Sequence, residues 1–167
     1  MAAPLTPMER QGNWQFPNSL ALLVLRLVMG WIFIYAGAGK LFGAFGGPGM
    51  NGDTGFVHMI ESQHLPVLPG VAWAWMAALG EFAGGILVMI GLLTRLAAVP
   101  LIITMVVAIA TFTGSKGFGS YGYNLILIAV GVALILSGAG LISIDAILFR
   151  RGLWARGPQP LANPVPR

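Results

Sequence analysis

The run from Leu20 to Phe42, LALLVLRLVMGWIFIYAGAGKLF, is long enough to cross a bilayer, yet it carries Arg26 inside it and Lys40 near its end. A helix needs about 20 apolar residues to cross roughly 30 Å of hydrocarbon. Charges within such a segment are costly and face protein, water or headgroups rather than lipid. On a helix Arg26, Gly30, Phe33, Gly37 and Lys40 follow steps of three and four and share one face. That face is expected to meet the other helices, with Gly30 and Gly37 admitting a neighbouring backbone. The competing reading is that Arg26 and Lys40 snorkel toward opposite headgroup layers, and other buried charges decide between the two.

Composition extends the inference to the whole chain: 57% of residues are hydrophobic and only 8% charged, with a mean hydropathy of +0.84. Soluble domains carry roughly 25% charged residues. The chain is read as all-α, a membrane-embedded four-helix bundle with a short interfacial helix in the first loop and another after the fourth span. Residues 1–17 and 154–167 are read as cytoplasmic tails flanking a membrane domain over 18–153. The net charge of +4 rests on nine basic residues, so it argues for span orientation and against nucleic-acid binding. Without cysteine the chain has no disulfide, no thiolate ligand and no thiol exchange of its own.

Met1 to Pro17 is polar and proline-bearing, and Asn18-Ser19 is expected to start the first helix. Ala36-Gly37-Ala38 has the small residues of a signal cleavage site, but the weak basic region and long apolar run favour a retained span. Six glycines and Pro48 in LFGAFGGPGMNGDTG predict a flexible loop after Lys40. A nucleotide-binding P-loop is excluded at Gly37-Ala38-Gly39-Lys40, because Ile34 stands where its first glycine belongs and Leu41 where its Ser or Thr belongs. Phe56 to Pro69 reads as an amphipathic surface helix stopped at Leu65-Pro66. It carries His58, Glu61 and His64, the residues a metal would use. On a helix each step of three drifts by about 60°, leaving the two histidines about 120° apart, so the reading is no metal site and a polar interfacial face.

The second span, about Trp73 to Leu93, contains Glu81 roughly 12 Å from its start, too deep for a short side chain to snorkel. Gly80 and Gly84 flank it as a GxxxG pair, which predicts close packing against another helix. A packing carboxyl is the bland alternative to a functional or paired one. Thr94-Arg95 is expected to turn the chain into a third span, Leu96 to Phe112, whose Thr104 and Thr111 can bond their own helix. That span reads as scaffold. Tyr121, Tyr123 and Asn124 lead into a fourth span, Leu125 to Leu136, and Ser143 is a plausible cap for a closing interfacial helix.

Together these residues resemble the DoxX family of bacterial four-helix membrane proteins, over about Leu20 to Leu148. The resemblance rests on the arginine before Gly30 and Phe33, then Gly37-Ala38-Gly39-Lys40-Leu41, and Leu65-Pro66. It continues through Glu81-Phe82-Ala83-Gly84-Gly85, Gly91-Leu92-Leu93-Thr94-Arg95, Asn124 and the closing Gly138 to Asp145. It implies a bacterial inner-membrane protein with relatives that include the small subunit of a thiosulfate:quinone oxidoreductase. The glycine-rich first loop, Gly43 to Gly55, departs from the family pattern.

Three functions follow. The first is a membrane subunit of a quinone- or thiol/sulfur-linked redox system, with quinone as the implied cofactor and Glu81 and Lys40 as a proton-exchange or ion-pair site. The second is a non-catalytic structural or assembly subunit of a larger respiratory or photosynthetic complex. A transporter or channel is disfavoured, because the chain lacks paired broken helices. The expected partners are membrane lipids and other membrane subunits, with no nucleic acid and no nucleotide; whether the chain is itself an enzyme stays open. Two contacts are expected: Lys40 with Glu81, joined by Asn124, and Arg26 with Asp145.

Arg10, Arg95, Arg150, Arg151, Arg156 and Arg167 fall on one side of a four-span chain and Lys40 and Lys116 on the other, which predicts cytoplasmic termini. A cysteine introduced at Ser115 should react with an impermeant reagent added outside, and one beside Arg95 should not. The opposite labelling pattern would invert the topology.

Overall fold

The computed structural model of the protein describes the backbone of residues 7–149 and the side chains of residues 17–148. The terminal charges Arg10, Arg150, Arg151, Arg156 and Arg167 lie outside the described side chains, as do Trp14 and Phe16. Six helices follow in order: α1 Pro7–Phe42, α2 Phe56–Glu61, α3 Gly70–Ile90, α4 Thr94–Ala108, α5 Phe118–Ser137 and α6 Ile144–Phe149. Among the described residues four stretches are long and apolar enough to cross a membrane: Pro17–Phe42, Gly70–Ile90, Thr94–Lys116 and Phe118–Ser137. The chain is an all-helical membrane protein.

Helix boundaries depart from the sequence reading where local chemistry is stronger than the apolar count. α1 begins at Pro7 rather than at Asn18, since Met8 to Gln11 are good helix formers and a proline is tolerated in a first turn. The surface helix α2 stops at Glu61 instead of reaching Pro69. α5 starts at Phe118, so Tyr121, Tyr123 and Asn124 lie within it. The glycine-rich loop is tied back to the end of α1. The Gly39 carbonyl accepts the Gly43 and Gly49 N–H groups (3.2 and 3.0 Å), Phe56 N–H donates to Gly49 (2.8 Å), and Phe45 stacks on Tyr35 at 4.6 Å.

In lipid, helices gain little from burying apolar groups against one another, so close van der Waals contact decides which ones pair. α1 packs chiefly on α3, and α4 on α5. Glycines permit the first of these contacts. A Cβ on Gly30 would stand 2.7 Å from the Gly85 carbonyl oxygen, and one on Gly37 2.6 Å from the Phe82 nitrogen. The expected GxxxG pair divides: Gly84 packs against Leu101, while a Cβ on Gly80 would meet nothing nearer than Pro100 at 3.9 Å. Met29, Phe33, Val88, Leu101, Leu127 and Leu134 fill the centre of the bundle. A second apolar cluster, built on Met50, Phe56, Ile60, Ala74 and Ala78, lies under α2.

At the opposite end α3 stops at Gly91, whose φ of 72° is left-handed, with the Leu92 N–H on the Leu87 carbonyl at 2.9 Å. Helix α6 is fastened beneath this turn. The Leu93 and Thr94 N–H groups donate to the Asp145 carboxylate (2.8 and 3.2 Å), and the Asp145 N–H donates to Gly91 (2.9 Å). Ser143 caps α6 by accepting the Ala146 N–H at 3.0 Å, and Ser19 of α1 accepts the Leu141 N–H at 3.2 Å.

Gly37→Ala should lower thermal stability in detergent by about 1 to 3 kcal/mol, the cost of overpacking a close contact. Gly80→Ala should leave it unchanged or slightly raised, because its Cβ has room and alanine favours helix. Equal losses would contradict the α1–α3 contact described.

Candidate functional site

Lys40 lies in the last turn of α1, three residues beyond Gly37 on the same face, and Glu81 precedes Phe82, whose backbone Gly37 touches. The close helix contact therefore sets the two side chains against each other. The Lys40 ammonium donates to both carboxylate oxygens of Glu81, at 2.6 Å to Oε1 and 2.5 Å to Oε2. Glu81 is almost wholly buried, with its side chain 2% exposed, whereas Lys40 keeps 22%. The ammonium also stands 4.9 Å from the centroid of the Phe56 ring, an attractive cation–π arrangement. Sequestered ion pairs are costly to desolvate, and their geometry has to be good for the attraction to offset that cost.

This pair forms one wall of a cavity of about 310 Å³ beneath α2. The other walls are apolar, with Phe56, Trp73, Ala77, Thr104 and Phe112 prominent among them. An apolar pocket with a few converging polar groups is the usual form of a small-molecule site. The sequence reading missed the third span's share in it. Pro100, Thr104, Ala108 and Phe112 recur at steps of four and line one side of the cavity, so the helix taken as scaffold is also a wall. Thr104 and Thr111 do bond their own helix, at the Leu101 and Val107 carbonyls (2.9 and 2.8 Å).

Asn124 is buried on α5, but no hydrogen bond joins it to Lys40 or Glu81 among the described residues. It lies on α5, which packs chiefly on α4, whereas the pair joins α1 to α3. Arg26 and Asp145 are drawn into one layer without bonding to each other. Arg26, 1% exposed, donates from Nη2 to the Ile142 carbonyl, while Asp145 takes the N–H groups that open α4. Two orphan amides at a helix start give a carboxylate both hydrogen bonds and the favourable end of the helix dipole. Their charges attract only through space.

His58, Glu61 and His64 do not form the helical face expected of them. The helix ends at Glu61, and His64 sits in a left-handed turn at φ 49°. All three are exposed, and among the described residues no group of three His, Cys, Asp or Glu side chains is placed to hold a metal.

Among the described residues four membrane-length helices, with a lysine–glutamate pair on the wall of a largely apolar cavity, define a multi-span membrane protein. The sequence pattern of the DoxX family matches residues 21–114, and the chain belongs to that family. It is 29% identical over 132 residues to a Bacillus subtilis protein named "Putative oxidoreductase CatD", covering 78% of this chain and 89% of that one. It is 30% identical over 145 residues to an uncharacterized membrane protein of Mycobacterium tuberculosis, covering 78% of this chain and 83% of the relative. A Haemophilus influenzae protein is 30% identical over 138 residues, covering 78% and 85%. No solved structure matches the chain.

Removing one member of the Lys40–Glu81 pair strands the other, so Lys40→Met and Glu81→Leu should each cost about 3 to 5 kcal/mol of stability. The double variant should lose much less than their sum in a detergent melting experiment. Additive losses would mean that the pair does not form in the bilayer.

Proposed function

We propose that the protein is a membrane subunit of a redox system and that its cavity receives the head of a quinone. The observation that carries this reading is the ion pair on the wall of an otherwise apolar cavity within the bundle. The name of the Bacillus subtilis relative supports the redox assignment. A quinone taking up two electrons also takes up two protons, and a positioned side chain can supply one of them. Lys40 suits that role, because its ammonium, on the cavity wall in the last turn of α1, can donate to a carbonyl oxygen in the cavity. Glu81 holds the ammonium in place and offsets its charge. The two electrons come from a thiol or other reduced sulfur compound oxidised on a partner subunit, since the chain has no thiol of its own, and the second proton comes from water.

The orientation that goes with this reading is a bacterial inner-membrane protein with both termini cytoplasmic and the pair in the outer half of the bilayer. A second reading is supported by the bidentate geometry, in which each charge of the pair satisfies the other within the protein. In it the pair is an interhelical clamp and the chain is an assembly subunit of a larger respiratory or photosynthetic complex.

Glu81→Gln separates the two, since it keeps size and hydrogen bonding but carries no charge. We expect Glu81→Gln, which leaves Lys40 a neutral acceptor, to melt lower than the unaltered protein but above Glu81→Leu, and still to assemble in membranes. It should lose at least about tenfold in quinone reduction, because the donating ammonium is no longer held by a countercharge. Full activity in Glu81→Gln, with failed assembly in Glu81→Leu, would leave the clamp reading alone.

A further inference from the structure

The cavity wall is continuous with the lipid-facing surface of the bundle. Met76 on α3 and Ile103 on α4 both line it, yet they keep 55% and 53% of their surface exposed. In membrane-spanning helices that exposed apolar surface faces hydrocarbon chains. The gap has a wedge shape. A Cβ on Gly84 would stand 3.0 Å from Leu101 and 3.4 Å from the Ala97 carbonyl oxygen, whereas one on Gly80, a turn nearer α2, would find only Pro100 at 3.9 Å. Another turn on, Ala77 and Thr104 face the cavity itself. At the wide end α4 passes into a π-turn over Ile109–Thr113, with Ala108 just before it and Phe112 within it, both on the wall. Single π-turns of this kind are frequent at functional sites.

The polar groups constrain what enters. Glu81 lies roughly 16 Å along α3 from Gly70, so a head beside it sits at the depth of hydrocarbon rather than of headgroups. Lys40 and Glu81 neutralise each other, and among the described residues no further charged side chain lines the cavity. A phosphate-bearing head would arrive there without a free cation, at high desolvation cost. A small uncharged head with oxygen acceptors meets no such cost.

We infer that the occupant is a single-tailed, uncharged amphiphile that enters from the side, its oxygen-bearing head beside Lys40 and Glu81 and its hydrocarbon tail leaving between α3 and α4 into the bilayer. This rests on the quinone reading for the head, and it adds the tail, the route and the exclusion of phospholipid.

The test uses the full chain in lipid nanodiscs and a benzoquinone whose decyl tail ends in a photoreactive diazirine. Irradiation should label the α3 and α4 segments around Met76 and Ile103, and excess unlabelled decyl benzoquinone should remove that labelling. Ala77→Phe, which fills the cavity wall, should reduce the displaceable labelling by about tenfold, equivalent to about 1.4 kcal/mol. Ala108→Leu serves in its place if Ala77→Phe does not fold, and the labelling of the unaltered chain needs neither variant. Quenching of Trp73 fluorescence, with Trp14, Trp31, Trp75 and Trp154 replaced by Phe, reports the head separately. Head quenching with displaceable tail labelling confined to α2 and the first loop overturns the lateral route and leaves the quinone reading standing. Neither quenching nor displaceable labelling overturns both. A diazirine-bearing phosphatidylcholine that labels the same cleft and resists displacement by decyl benzoquinone overturns the choice of occupant.

Discussion

A carboxylate most of the way to the middle of a bilayer needs a cation at contact distance, and in this protein the backbone approach of two helices supplies it. Gly37 lets α1 rest on the Phe82 peptide of α3. That contact brings Lys40, one turn further along, onto Glu81 in two hydrogen bonds. A larger residue at position 37 would push the helices apart and lengthen the reach required of the lysine. Helix packing and charge pairing are thus one constraint, and neither is stable alone in hydrocarbon.

The rest of the bundle is arranged around that contact. α3 is held close to α1 along Gly30, Gly85 and Gly37, and its Gly84 comes close to Leu101 of α4. Beyond Gly84 the α3–α4 pair opens, α2 covers the opening with Phe56 and Ile60, and the cavity is the space that remains. The far end is closed by main-chain partners instead. Asp145 accepts the amides at the start of α4 and donates its own N–H to Gly91, so the turn between α3 and α4 is fixed at both ends, while Arg26 holds the Ile142 carbonyl before α6. A Cβ on Gly91 would overlap the Arg26 guanidinium, which is why that turn carries glycine on steric grounds as well as for its left-handed φ.

Much of this is legible in the sequence, for reasons that differ from residue to residue. Apolar runs of membrane length specify the spans directly. The contact of Lys40 with Glu81 can be read because consecutive antiparallel spans place both in one leaflet and glycines mark the face on which α1 is approached. Depth alone does not give partners. Asn124 is buried on α5 but bonds neither Lys40 nor Glu81, and Asp145 attracts Arg26 through space but is taken by two helix-opening amides. The cavity is the least legible feature, because it arises from the angle between α3 and α4. The step-of-four row Pro100, Thr104, Ala108 and Phe112 was its sequence trace, although such a row is equally ordinary packing. The contacts of the glycine-rich loop are hard to read for a related reason: its hydrogen bonds run back to the Gly39 carbonyl and Phe45 stacks on Tyr35, both partners lying outside the loop on α1.

The most direct test is solid-state NMR on the protein in bilayers, with nitrogen-labelled lysine and carbon-labelled glutamate. The dipolar coupling between the Lys40 side-chain nitrogen and the Glu81 carboxyl carbon reports their separation, and the Lys40→Met protein assigns the signal. A coupling that corresponds to direct contact, and that weakens or shifts when decyl benzoquinone is added, is the predicted result. Absence of the coupling would contradict the pair itself, and a strong coupling indifferent to the quinone would contradict its place in a binding site.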